Sequence, residues 1–148
     1  MIAGIVGSEG AKFTELGQAG AKAKIYEILT QPGVTGFCSG HCHLGGIDIW
    51  TEEIGLKLGL KPFIFAPKQL NWTNGYKPRN ELIAHTSDEL HCITVDQLPP
   101  GFAGMKFDYC YHCMTKDHVK SGGCWTVRCG LRLSKPGFWH VIANVEAI

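Results

Sequence analysis

Between residues 110 and 124 this chain of 148 residues carries Cys110, Cys113, His118 and Cys124, spaced C-x2-C-x4-H-x5-C. A C-x2-C turn presents two thiolates to one ion from neighbouring backbone positions, and an imidazole with a third thiolate completes a tetrahedron. Soft thiolates combined with imidazole favour zinc, and a segment with so little apolar content has few other means of holding a shape. His112, Cys42 and His43 are alternative donors to Cys124. Four protein ligands leave no open coordination position, so the expected role is structural. A second cluster, His41-Cys42-His43, chelates poorly because its residues are adjacent. Cys42 with either histidine has the residue types of a nucleophile and base, or the three line a ligand loop. The chain has seven Cys, an odd number that cannot pair fully within itself. The start, Met1–Gly7, is apolar without a basic flank and reads as a strand rather than a signal peptide, so a reducing, cytoplasmic location is expected.

Glycine supplies the second kind of chemistry. Gly45-Gly46 and Gly122-Gly123 each run into a predicted helix. Backbone N–H groups at a helix start are unpaired and carry about half a positive charge, so both turns are candidate phosphate cradles. Arg79 can clamp a phosphate through two parallel hydrogen bonds, and Asn80 can hold a ribose or base. Asp48, Glu9, Asp96 and Asp117 are the acidic residues available as a general base. Trp72, in a polar loop, can stack on a base. The turn Gly4-x-x-Gly7-x-x-Gly10 is not the dinucleotide fingerprint, and no P-loop signature is present, which disfavours a nicotinamide dehydrogenase and an ATPase of that type.

These residues need elements to position them. Apolar runs at Met1–Val6, Val34–Cys38, Pro62–Ala66, Leu90–Val95 and Phe138–Ile142 predict five strands. Helical spacing predicts helices from Thr14 to about Thr30, around Ile47–Leu58, from Pro78 to about His85, and around Trp125–Leu133. Residues 97–121 show no sustained period and read as an insertion. Strands that are continuous apolar runs alternating with helices predict an α/β fold: a doubly wound, mostly parallel five-stranded sheet with helices on both faces, in one domain over 1–148. Ligands of such folds sit beyond the carboxyl ends of the strands, where strand order reverses. The loops just described fall there. Charge is nearly balanced, 14 Lys+Arg against 13 Asp+Glu, which is not the footprint of a strong duplex binder. No apolar run is long enough to span a membrane.

The order of these motifs resembles the SLOG superfamily, Rossmann-like proteins that include LOG phosphoribohydrolases, the DNA-processing protein DprA and YspA-like nucleotide-binding proteins. The resemblance is carried by Gly7-Ser8, Cys38-Ser39-Gly40 with Gly45-Gly46-Ile47-Asp48, Pro78-Arg79-Asn80, and Ser121-Gly122-Gly123-x-x-Thr126. It implies a nucleotide or nucleotide-derived ligand held by Gly7, Ser8, Ser39, Gly40, Gly45, Gly46, Asp48, Arg79, Asn80, Ser121, Gly122, Gly123 and Thr126, in a chain that forms homo-oligomers. Two departures stand out. Glu9 occupies the place of an arginine in the YspA-like branch. Cys129 stands where LOG hydrolases (PGGxGTxxE) place the glutamate that assists glycosidic cleavage, so that activity is not expected. Residues 110–124 resemble a retroviral-type zinc knuckle, C-x2-C-x4-H-x4-C, with one extra residue before Cys124 and Met114 in place of the usual glycine. The reading favoured is a nucleotide-binding or sensing module with a structural zinc. A nucleotide-processing enzyme and a single-stranded nucleic-acid binder are the alternatives.

Overall fold

A computed structural model describes residues 1–145 of the chain; the last three residues of the expected domain, 146–148, lie outside the described part. Five strands, β1 (Ile2–Gly7), β2 (Gly36–Ser39), β3 (Lys61–Ile64), β4 (Glu89–Val95) and β5 (Gly137–Ile142), form one sheet in the order β3-β2-β1-β4-β5. Every pairing is parallel. Four α-helices accompany them among the described residues: α1 (Glu15–Leu29), α2 (Ile47–Lys57), α3 (Lys77–Thr86) and α4 (Gly122–Arg132). The architecture is Rossmann-like α/β, as the alternation of apolar runs and helical periods requires.

Side chains alternate across the sheet with period two, and the two faces are covered by different helices. Ala3, Ile5, Phe37 and Ile93 pack with Ala21, Ile25, Ile28 and Leu29 of α1 and Ile47 of α2. Val6, Cys38, Leu90 and Cys92 pack with Ile83 of α3 and Val127 of α4. Burying each large side chain of this set contributes about 1.5–3 kcal/mol of transfer free energy. β1 and β4 are buried on both faces, which is why they read as unbroken apolar runs. β3 is an edge strand, mostly exposed.

Local chemistry sets the helix ends. Thr14 caps α1, its side chain accepting from the Gly17 N–H at 3.0 Å. Gly59, just past α2, takes φ +74°, the left-handed conformation that closes many helices. Pro78 sits in the first turn of α3. Two details depart from the sequence reading. Trp72–Tyr76, expected as loop, forms a π-helical turn leading directly into α3. The strand expected over Pro62–Ala66 ends two residues earlier, at Ile64.

The connection from β4 to α4 contains no helix or strand. It carries one isolated antiparallel bridge, Cys110 to Thr115. Its far end is tied to the carboxyl end of β4: the Val119 N–H donates to the Val95 carbonyl at 2.9 Å, and the Thr94 hydroxyl donates to the Val119 carbonyl at 2.6 Å.

A candidate ligand cleft and metal cluster

Strand order reverses between β1 and β4, and beyond their carboxyl ends lies a cleft of about 720 Å³. Its floor is the turn after β1, Gly7 to Glu9, with Lys12. One side is Cys42 to Leu44 and Asp48. The opposite side is Trp72, Tyr76, Arg79, Asn80 and Ile83. The far wall is Tyr111, His112, Lys120 to Gly123, Trp125 and Thr126.

Of the residues singled out from the sequence, Gly7, Ser8, Asp48, Arg79, Asn80, Ser121, Gly122, Gly123 and Thr126 line this cleft. Ser39, Gly40, Gly45 and Gly46 do not; they hold the lining residues from behind. The Ser39 hydroxyl donates to the Asp48 carbonyl at 3.0 Å. The Gly40 carbonyl accepts from Arg79 Nη1. Gly46 takes φ +83°, and a Cβ there would lie 2.4 Å from the Ser8 carbonyl oxygen. The first N–H of α2, that of Ile47, donates to that same carbonyl at 3.2 Å. The start of α2 is therefore spent on packing against the β1 turn rather than facing the cleft.

The charged groups are organised around Asp48. Its carboxylate accepts from the Cys42 N–H at 3.1 Å and faces Arg79 Nη1 at 3.9 Å. Burial pushes the Asp48 carboxyl up to about 6, with Arg79 pulling the other way. Arg79 also donates from Nε to Asn80 Oδ1 at 2.7 Å. Lys12 is partly buried, and burial lowers its pKa while Glu9, 4.0 Å away, raises it. Cys42 is pushed up by burial, which disfavours its thiolate, and His41 is paired with Glu52 at 2.8 Å rather than with Cys42. No hydrogen bond joins Cys42 to a histidine among the described residues, so a Cys–His catalytic pair is not formed. Of the other acidic candidates, Asp96 accepts from the Asn144 N–H and Asp117 binds His118.

At the start of α4 the polar groups face the opening. Ser121 caps the helix, its hydroxyl accepting from the Gly123 N–H at 3.0 Å. Gly122 has open space where a Cβ would stand. The Thr126 hydroxyl, one turn in, is buried and has no hydrogen-bond partner among the described residues. Trp125 meets Trp72 edge to face, with ring centroids 5.1 Å apart.

Cys110, Cys113, His118 and Cys124 converge behind this wall, with one donor atom from each lying within 4.8 Å of the others. Such a set could hold a metal ion. His112, Cys42 and His43, the alternative donors, line the cleft instead. His118 has one ring nitrogen 3.6 Å from Cys124 Sγ and the other 2.6 Å from the Asp117 carboxylate. That is the arrangement by which a carboxylate fixes the orientation of a metal-binding imidazole. A fifth thiol, Cys92 of β4, lies 3.9 Å from Cys124 Sγ. The hydrogen bond from Cys92 holds the Cys124 thiol down at about 4, while burial pushes Cys113 up to about 12. Met114 takes φ +58°, in the left-handed region that favours glycine.

No family model and no curated protein matches the chain. Its fold has a solved counterpart. The chain is similar to the molybdenum cofactor carrier protein from Chlamydomonas reinhardtii, at 14% identity, with a TM-score of 0.57, over 93% of this chain and 74% of that one. At that identity the likeness is one of fold. It agrees with the parallel sheet and with helices on both faces.

Sequence reasoning missed three features of the cleft. Tyr111 and His112 face it from inside the C-x2-C turn. Lys12 and Lys120 flank its floor and wall, with Lys12 Nζ donating to the Lys120 carbonyl at 3.3 Å. Trp125 joins Trp72 at its rim. No helix among the described residues is long and apolar enough to cross a membrane.

Proposed function

We propose that the chain binds a nucleotide or nucleotide-derived phosphate in the cleft, beside a structural zinc ion held by Cys110, Cys113, His118 and Cys124. The observation that carries this reading is the Thr126 hydroxyl, buried without a partner in the first turns of an 11-residue helix whose N-terminus opens on the cleft. A buried polar group left unpaired costs about 1–3 kcal/mol, and an anion at this position would accept from it while meeting the helix's unpaired N–H groups. Lys12 and Lys120 add positive charge. Trp72, Tyr76 and Trp125 offer flat apolar surface for a base. The loop order of the SLOG superfamily supports the same reading. The structural neighbour, by name a cofactor carrier, uses this fold with a small molecule.

Zinc fits the donor set. Zn–S bonds of about 2.3 Å place tetrahedral donors about 3.8 Å apart, so the four atoms need only draw in by about 1 Å. The Asp48 carboxyl, raised to about 6 at the cleft edge, favours a second reading in which it is the general base of a nucleotide-processing enzyme. LOG-type hydrolysis is not part of that reading, because α4 offers Cys129 and no carboxylate at the equivalent turn.

Elemental analysis of protein purified without chelator is expected to show close to stoichiometric zinc, lost in a Cys110→Ser/Cys113→Ser variant. Calorimetric titration with ADP, GDP and inorganic pyrophosphate tests the cleft. Thr126→Val should weaken binding by about 1–2 kcal/mol and Arg79→Ala by about 1.5–3 kcal/mol. No binder, or one indifferent to both substitutions, overturns the reading. Release of phosphate from a nucleotide at about 1 per second or faster, lost in Asp48→Asn, would establish the enzyme instead.

A further inference from the structure

The donors of the metal cluster and the far wall of the cleft are interleaved in the chain. Tyr111 and His112, between the donors Cys110 and Cys113, line the cleft; so do Lys120 to Gly123, between His118 and Cys124, and Trp125 and Thr126 just after it. The four donors sit on one side of this ribbon and the lining groups on the other. Beyond the packing of Cys110 and Cys113 against the core, the segment is tied to the fold near its end, where Val119 bonds to Val95 and Thr94 and the Lys120 carbonyl to Lys12. It has no helix or strand, and its internal hydrogen bonding centres on the Cys110–Thr115 bridge. Met105 and Met114 are exposed, and Met114 holds a backbone conformation that disfavours any side chain. Tyr111 meets Phe107 edge to face at 5.7 Å and His112 in a tilted contact at 4.4 Å, with the Lys120 ammonium over Phe107 and Tyr111 at 4.7 and 5.1 Å.

We propose that metal occupancy builds the far wall of the cleft, so that ligand affinity depends on the metal and the ligand in turn tightens metal binding; this rests on the ligand-binding reading above. With the ion in place, the C-x2-C turn is clamped against α4. Tyr111 and His112 then stand opposite Trp72 and Tyr76, and the ligand lies between a metal-borne aromatic wall and a helix-borne one. Without it, the four clustered donors, three of them buried, lose their common partner. The turn relaxes, and only the α3 side and the start of α4 remain. Both effects follow from one coupling free energy, which must act equally in each direction. Tyr111 and His112 are then specificity-determining residues, and their occupant is an anion joined to a flat ring rather than a bare phosphate.

The test compares zinc-loaded protein, the same protein stripped by chelator and desalted, and the stripped protein given zinc again. Each is titrated with ADP and with inorganic pyrophosphate. Stripping should weaken ADP binding at least about tenfold, zinc should restore it, and hydrogen exchange should show residues 106–120 losing protection while β1 and β4 keep theirs. Saturating ADP should raise the zinc affinity, measured by equilibrium competition with a chromogenic chelator, by a comparable factor. Tyr111→Ala/His112→Ala separates the wall from the fold: it should keep its zinc, lose ADP affinity, and leave pyrophosphate binding nearly unchanged. Equal ADP affinity with and without zinc overturns the proposal, as does a double variant that binds ADP normally. If loaded protein binds neither probe, the ligand-binding reading fails and this one falls with it; if it binds both but ignores stripping, only this one falls.

Discussion

The adjacent glycines at the start of α4 have different jobs. A Cβ on Gly122 would meet nothing within 4 Å. A Cβ on Gly123 would lie 2.9 Å from the Gly7 nitrogen, 3.0 Å from Val6 Cγ2 and 3.1 Å from Cys92 Sγ. Gly123 thus lets α4 approach the end of β1, while Gly122 keeps the cleft open. Gly122→Ala is expected to change stability by no more than about 1 kcal/mol, with the better helix propensity of alanine in its favour. Gly123→Ala should cost about 1–3 kcal/mol by overpacking. Urea midpoints of the two variants check this, and equal values would contradict it. A paired glycine motif therefore gives the place of a site without the division of labour inside it. The clustering of Cys110, Cys113, His118 and Cys124, a set that could hold a metal ion, was legible because C-x2-C and the following His and Cys are close in sequence. The displacement of Ser39, Gly40, Gly45 and Gly46 to supporting positions was not. It depends on the loop before α2 folding against the β1 turn, a contact between segments more than 30 residues apart.

At the scale of elements, parallel crossovers leave each strand's carboxyl end needing fasteners. The principal one is Asn144, just beyond β5 and 2% exposed. Its Nδ2 donates to the carbonyls of Lys12 at 2.8 Å and Gln97 at 2.7 Å. Its Oδ1 accepts from the Thr14 N–H at 3.0 Å, and its N–H donates to Asp96 at 3.0 Å. One side chain therefore joins the start of α1, the exit of β4 and the end of β5. Gly17 is glycine because a Cβ there would stand 2.0 Å from Asn144 Oδ1. Asn144→Ala strands one N–H and two carbonyls, and should cost about 2–4 kcal/mol. The thermal midpoint should fall by roughly 2–4 °C for each kcal/mol lost. A fall of less than about 2 °C would show that water replaces these bonds freely. The strands and helices themselves were legible because apolar runs and helical periods are local signals. Asn144 was not, since two of its partners are 132 and 47 residues away and a lone asparagine after a strand carries no pattern.

For the molecule as a whole, two buried sites make stability depend on pH with opposite signs. On the α1 face of the sheet, His91 Nδ1 lies 2.9 Å from His140 Nε2, and His91 Nε2 lies 3.0 Å from Glu89 Oε1. Neutral rings satisfy both contacts if His140 donates to His91 and His91 donates to Glu89; protons on both rings would place two donors face to face. Lys24 of α1 adds positive charge opposite, and Glu27 opposes it. Burial lowers both histidines, and His140 falls to about 4. The unfolded chain then binds more protons than the folded one between about pH 6.5 and 4, so this site's stability is intact above 6.5 and is lost as pH falls through that window. Discounted for the half-exposed position of His140, the loss is about 1–2 kcal/mol. Asp48 acts the other way. Its carboxyl is raised to about 6, so the folded chain holds the extra proton, and the benefit present below about pH 4 disappears as pH rises towards 6. The native profile between pH 4 and 6.5 should therefore be flatter than either site alone would give. His140→Phe removes the acid-side loss, so its stability relative to the native chain should rise as pH is lowered from 6.5 to 4. Asp48→Asn should gain relative stability as pH is raised from 4 to 6, provided Arg79 keeps its bond to the Gly40 carbonyl. Urea unfolding at four or five pH values across this range measures both slopes. Two parallel profiles, each offset from the native chain by a constant, would show that neither site titrates differently on folding.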